Sequence, residues 1–257
     1  MNSIKVFGAY STRGNNREPA TFLIAPSILV DAGNILRSLD EKIDKINHIF
    51  LTNCHAERFA DIPFFIDTYF ISRRTSLYIY GLRHTIENLK ANMFNDEIWP
   101  DFSKIPLIGG APSIVFKEIE PNVEICVDNV TLKPILTSHN LPTVGYVIQK
   151  GGKAIYIVGD TYKCPEIWDE INKNTAISAA VIGCTYPSEM SEFARMHTCL
   201  TPAILRDELK QLRRHNLDFY ISHISPAMES SVAYELRSNF LTANMMILYD
   251  GYTIELP

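Results

Sequence analysis

The chain has 257 residues, 46% hydrophobic and 21% charged, an ordinary globular composition with ample length for a large core. A net charge of -5 leaves no basic footprint for long nucleic acid, although a small anionic substrate remains compatible with a locally positive site. No uncharged run approaches the roughly 18 residues of a membrane span, and MNSIKVFGAY lacks the apolar core of a signal peptide. Cys54, Cys126, Cys164, Cys184 and Cys199 are odd in number and form no CxxC pair. Reduced thiols in a cytoplasmic protein are therefore expected.

In chain order, Ile4 to Tyr10 reads as a strand and Ser11 to Pro19 as a polar loop. Thr21 to Ala25 and Ser27 to Val30 read as paired strands around Pro26. Asp31-Ala32-Gly33 ends the second, where an acid can bond neighbouring backbone or orient a ligand. A helix is expected over Ile35 to Ile43, then a strand over Ile46 to Leu51. Phe59 to Ser72 reads as an apolar helix, Leu77 to Tyr80 as a strand and Thr85 to Ala91 as a helix. Met93 to Phe102 holds Phe94, Trp99 and Phe102, which can form an aromatic wall, a hydrophobic cap or a dimer contact. Ile114 to Ile119, Val123 to Val127 and Thr131 to Leu136 are expected as a meander, with Tyr146 to Gln149 and Ala154 to Val158 following. Val181 to Thr185 is a further strand, and Leu200 to Arg214 is a helix opened by Thr201-Pro202. Phe219 to His223 is a strand, and Met246 to Tyr249 with Thr253 to Leu256 is expected as a closing hairpin about Asp250-Gly251. The alternation of strands and helices favours one domain, residues 1–257, with sheets covered by helices.

The most informative stretch is Leu51 to Ile62, LTNCHAERFADI. A strand stopping at a sharp turn points alternate residues, here Asn53 and His55, at one spot. Glu57 and Arg58 enter the next turn and can converge from the other side. His55 is a good metal ligand and Glu57 a usable one, whereas Asn is weak and a guanidinium gives no lone pair. These residues alone fit either a metal-binding turn or an exposed loop with one histidine. Thr137-Ser138-His139, Gly159-Asp160-Thr161 and Ser222-His223 also end strands, and such groups at one sheet edge can meet.

Taken together, these motifs resemble the metallo-β-lactamase fold, and within it the class II cyclic-nucleotide phosphodiesterases. Thr52 to Arg58 resembles T-H-x-H-x-D-H. Phe94-Asn95 with Ile98-Trp99-Pro100 resembles a segment of the class II enzymes. Ser138-His139 followed by Pro142 and Gly145, then Asp160, Leu200-Thr201-Pro202 and Ser222-His223 complete the pattern. The resemblance implies a four-layer αββα sandwich with the site at one edge. It places Asn53, His55, His139 and Asp160 at a first metal position, and Glu57, Arg58, Asp160 and His223 at a second. Asn replaces a His, Glu an Asp and Arg a His, and Cys199 stands where H-L-T-P has its histidine, with His197 nearby.

The function implied is hydrolysis of a 3′,5′-cyclic nucleotide to a 5′-monophosphate. One divalent transition metal (zinc, manganese or iron) would be bound, and the substitutions disfavour a second. Glu57 would activate water, Arg58 neutralise the phosphate, His197 or His223 protonate the leaving oxygen, and Phe94, Asn95 and Trp99 contact substrate. The partners expected are a small cyclic nucleotide and a second copy in a homodimer, with no membrane. The alternative is a degenerate relative, without metal, that binds a cyclic nucleotide or a protein partner and does not hydrolyse.

Overall fold

The structure, a computed structural model, describes residues 3–37, 43–214, 216–239 and 244–255. The strands are β1 (Ser3–Gly8), β2 (Thr21–Ala25), β3 (Ile28–Val30), β4 (His48–Phe50), β5 (Leu77–Leu82), β6 (Ile114–Ile119), β7 (Ile125–Val127), β8 (Val130–Leu136), β9 (Val144–Lys150), β10 (Lys153–Ile157), β11 (Ile177–Gly183), β12 (Asp218–Ser222), β13 (Met245–Ile247) and β14 (Thr253–Glu255). The helices are α1 (Ala56–Phe59), α2 (Ile62–Tyr69), α3 (Arg83–Asn92), α4 (Pro165–Lys173), α5 (Ser191–Met196), α6 (Pro202–Glu208) and α7 (Glu229–Asn239). The strands form two seven-stranded sheets, ordered β14-β1-β2-β3-β4-β5-β6 and β13-β12-β11-β10-β9-β8-β7. In the first, β14 to β3 are antiparallel and β3 to β6 parallel. In the second, β7 to β10 are antiparallel and β10 to β13 parallel.

Side-chain alternation explains the layering. Leu29, Ile49 and Ile79 lie in register across β3, β4 and β5, as do Val30, Phe50 and Tyr80 one residue on. The first set packs outward with Phe65 and Ile66 of α2 and with Ile86 and Leu89 of α3. The second joins the core between the sheets, where the Phe50 and Tyr80 rings stack at 4.2 Å. Burial on both faces is why these strands read as continuous apolar runs. On the far side, α4 buries Ile167, Trp168 and Ile171. The Trp168 indole donates to Glu208 Oε2 at 3.0 Å, tying α4 to α6. This is the αββα sandwich expected. No helix among the described residues is long and apolar enough to cross a membrane.

Several elements differ from expectation. The closing hairpin does not form. β13 pairs in parallel with β12, whereas β14 pairs with β1 in the other sheet. Each terminal strand completes a different edge, and Leu256 lies outside the described residues. The expected meander is split, because β6 runs parallel to β5 in the first sheet while β7 and β8 open the second. Residues 33–37 are bends and turns, Ile43–Lys45 is one 3-10 turn, and 38–42 lie outside the described residues, so no helix is described there. The helix expected over Phe59 to Ser72 is two, α1 and α2, broken at Ala60-Asp61. The one expected over Leu200 to Arg214 is α6 followed by a 3-10 turn, Leu209–Gln211. Helices α4, α5 and α7 are additional to the expected elements.

Candidate functional site

Asp31 follows β3, the Thr52 to His55 turn follows β4, His139 follows β8, Asp160 follows β10 and His223 follows β12. Close backbone approach seats the turn. A Cβ on Gly33 would lie 2.0 Å from the Glu57 carbonyl oxygen, so only glycine lets Asp31-Ala32-Gly33 run against α1. The Ala32 amide donates to the Arg58 carbonyl at 2.7 Å, and the Asp61 amide to the Ala32 carbonyl at 3.0 Å. Gly159, at φ 74°, turns the chain out of β10 to deliver Asp160.

Arg58 is the centre of the arrangement and is only 2% exposed. Its Nη1 donates to Asp31 Oδ2 at 3.2 Å. Its Nη2 donates to Asp160 Oδ1 and lies 3.2 Å from Nδ1 of His223. Asp31 is held from its other side by the Thr52 amide (2.9 Å) and hydroxyl. His223 Nε2 sits 2.8 Å from Asp160 Oδ1. Arg58 Nη2 is equally close to Nε2 of His223, at 3.3 Å, so the guanidinium lies across the imidazole and the ring is held between Arg58 and Asp160. The Asn53 amide donates to Asp160 Oδ2 at 2.8 Å, while its Oδ1 accepts from the His55 amide at 2.9 Å.

The charges follow from these contacts. Burial opposes ionisation of Asp160, but Arg58, His223 and His139 hold its carboxyl well below the usual range. Burial pushes Asp31 up to about 6, against the pull of Arg58 and the Thr52 donors. Burial works against the Arg58 cation too, yet Asp160 and Asp31 raise its pKa further. His139 is lowered by burial, with Asp160 opposing, so it is neutral at pH 7. Burial pushes the Cys199 thiol up to about 11, which disqualifies it as a nucleophile at neutral pH.

Among the described residues, two groups offer ligand atoms all within 4.8 Å of one another: His55, His139 and Asp160; and Glu57, Asp160 and His223. The first fits a divalent metal. His139 Nε2 is buried without a hydrogen-bond partner, and the His55 and His139 rings meet edge to face at 5.2 Å. Three protein ligands leaving a position for water is the arrangement of catalytic zinc. The second group does not fit. The Arg58 guanidinium already lies on Asp160 and His223, so a cation there would meet a like charge.

The structure thus brings together Asn53, His55, Glu57, Arg58, His139, Asp160 and His223. Asn53 is not placed as a ligand, because both ends of its amide are hydrogen-bonded to protein. Arg58 is not placed to meet a phosphate, because its fork faces two buried carboxylates. His197 is exposed, with its ring 4.2 Å from that of Phe193. Its neighbour Thr198 reaches the site instead, bonding His139 Nδ1 at 2.6 Å, and nothing in its sequence context signalled this. Phe94 is 1% exposed in the outer core. Asn95 Oδ1 accepts from the Glu97 and Ile98 amides, closing its own turn. Trp99 packs on Phe64 at 4.9 Å. None of these three contacts the ligand groups. A cavity of about 500 Å³ lined by Phe7, Leu23, Ile43 and Ile46 with Lys5 and Lys45 contains none of the site residues. The converging titratable groups, not that hollow, mark the place for chemistry.

Two sheets under outer helices, with imidazoles and a carboxylate converging at the strand ends, define a metallo-β-lactamase-fold protein. The Beta-lactamase superfamily domain matches residues 26–220, and the chain belongs to that superfamily. Unliganded yeast PDE1 superposes with a TM-score of 0.82 at 17% identity, over 100% of both chains. YhfI from Bacillus subtilis gives 0.78 at 14%, over 99% of this chain and 100% of its own. A diphosphatase from the PhnP family gives 0.70 at 15%, over 100% and 98%. At such identities these likenesses speak for the fold alone. No curated protein matches the chain.

Proposed function

We propose that the protein is a phosphodiester hydrolase with a single metal position, acting on a 3′,5′-cyclic nucleotide to release the 5′-monophosphate. The observation that carries this reading is the buried, unpartnered Nε2 of His139, a residue that offers a ligand atom within 4.8 Å of those of His55 and Asp160. A neutral imidazole nitrogen desolvated without a partner is costly unless a cation or donor meets it. A divalent ion there supplies Lewis acidity toward a phosphoryl oxygen and acidifies bound water. The choice of a cyclic nucleotide rests on the sequence resemblance of Thr52 to Arg58 and of Phe94 to Pro100, since the structural neighbours share the fold alone.

The protein's own groups take the remaining roles. Asp160 stays ionised because Arg58 and His223 hold it so. Arg58 stands as a permanent positive charge beneath it, where a second ion would otherwise balance Glu57 and Asp160. Glu57, 26% exposed and with Oε1 3.6 Å from His55 Nδ1, takes the proton of the attacking water. The P–OH bond forms as the P–O3′ bond breaks. The 3′-oxygen takes back, through solvent, the proton that Glu57 removed from the attacking water, so the step balances without His197, which is exposed, or His223, whose ring nitrogens face Arg58 and Asp160. We also propose that Phe64 and Ile98, 53% and 62% exposed, contribute to a homodimer contact, which light scattering of Ile98→Lys checks.

One observation favours the second reading, a binder without turnover. Both Asp160 oxygens already accept bonds, from Asn53, Arg58 and His223, which weakens the carboxylate as a ligand. Elemental analysis of protein grown with ample metal, with turnover of cyclic nucleotides followed by chromatography, separates the two. The hydrolase reading expects about one ion per chain, lost in His139→Ala. Protein free of metal and inert toward every cyclic nucleotide overturns it, and calorimetric binding of a cyclic nucleotide by that protein would establish the second.

A further inference from the structure

We infer that Thr198 is a positioning residue that holds His139 in the tautomer with Nδ1 protonated, leaving Nε2 bare for the metal. This rests on reading His55, His139 and Asp160 as a metal group. Nδ1 of His139 lies 2.6 Å from Thr198 Oγ1 and 3.3 Å from the Thr198 carbonyl oxygen. A carbonyl only accepts, so a bare Nδ1 would face it lone pair to lone pair, whereas Nδ1–H satisfies both oxygens. The hydroxyl also accepts from the Asn140 amide at 3.1 Å, which fixes Oγ1 against the turn that carries His139. With Nδ1 engaged, the unpartnered nitrogen is Nε2, the one that is buried.

The backbone supplies an independent observation. Thr198 has φ 51°, a conformation that is costly for a β-branched residue. Its own amide donates to the Arg195 carbonyl at 3.2 Å and the Cys199 amide to the Ala194 carbonyl at 2.8 Å, so α5 ends in a tight left-handed turn. Asn or Gly would occupy that position with less strain. A threonine there is explained by what its hydroxyl does at His139 and Asn140. A histidine whose second nitrogen is oriented by a neighbouring acceptor is the usual support for a metal ligand.

The test uses Thr198→Val, which keeps the shape and the strained φ but deletes the hydroxyl, with Thr198→Ser as rescue. The full chain is labelled with ¹⁵N-histidine, and long-range ¹H–¹⁵N correlation on metal-free protein reads the His139 tautomer. Titration with Co²⁺ alone, followed by its visible spectrum, reads the ligand set. Wild type and Thr198→Ser are expected with Nδ1–H. Thr198→Val keeps only the longer 3.3 Å contact to the carbonyl and loses the 2.6 Å one, so it is expected as a tautomer mixture with Co²⁺ affinity lower by about 10–100-fold. An unchanged tautomer in Thr198→Val overturns the inference, as does a Co²⁺ affinity of Thr198→Val equal to that of a wild type that binds the ion. A wild type that takes up no Co²⁺ overturns the metal reading of the proposed function, and the tautomer comparison then still decides the role of Thr198.

Discussion

Replacing Arg58 by Met removes a cation of similar length from between Asp31 and Asp160, two carboxylates that are 1% and 2% exposed at the side chain. Removing one partner of a buried ion pair costs about 3–5 kcal/mol, mostly because the charge left behind is uncompensated. Here both acids keep some partners. Thr52 still donates to Asp31, and Asn53 and His223 still reach Asp160. The upper part of that range is therefore not expected, and about 3–4 kcal/mol at pH 8 is. For a chain of this size that lowers Tm by roughly 6–16 °C.

The pH dependence fixes the cause. Without Arg58, the folded pKa of Asp31, already about 6, rises further, and burial is left to push Asp160 up from its depressed value past the unfolded one of about 3.9. The folded state then binds more protons than the unfolded one, and stability is lost as pH rises through the new folded values. The deficit relative to wild type should thus be larger at pH 8 than at pH 5. Urea melts followed by circular dichroism at both pH values measure it. A deficit under about 1 kcal/mol at pH 8, or one equal at both pH values, would refute the view of Arg58 as the counter-ion of this cluster.

Further outcomes test the site and the scaffold. Arg58→His should raise metal content above that of wild type, since it frees Asp160 and His223 and adds a ligand beside Glu57. His139→Ala should abolish hydrolysis whereas His197→Ala should leave kcat/KM unchanged, because His197 packs on Phe193 away from the ligand groups. Gly33→Ala places a Cβ 2.0 Å from the Glu57 carbonyl oxygen and should cost about 1–3 kcal/mol in thermal melts, with α1 displaced. Asp250 accepts from the Ala9 and Glu18 amides, yet burial pushes its carboxyl up to about 6. Its contribution is present below the unfolded pKa and lost as pH rises through about 6, so Asp250→Asn should remove a decline in Tm with pH over that interval.

The order of strands and the identity of the groups at their ends are properties of the sequence itself. Continuous apolar runs such as Ile28 to Val30 and Ile49 to Leu51 specify strands buried on two faces, and each is followed by a polar residue that must sit at an edge. The replacement of an imidazole by a guanidinium at Arg58 is equally a sequence fact, and it forbids ligation there whatever the fold. What Arg58 does instead depends on residues far away in the chain, Asp31, Asp160 and His223, which only the packing of the two sheets brings to its fork. The same holds for Asn53, whose amide is turned from a metal by an acceptor and a donor on opposite sides. It holds for Thr198, whose left-handed turn depends on how α5 ends against the His139 loop. Strand pattern likewise could not say that β13 and β14 part company, because an edge strand satisfies its backbone equally well on any free edge until the core behind it decides which one is covered.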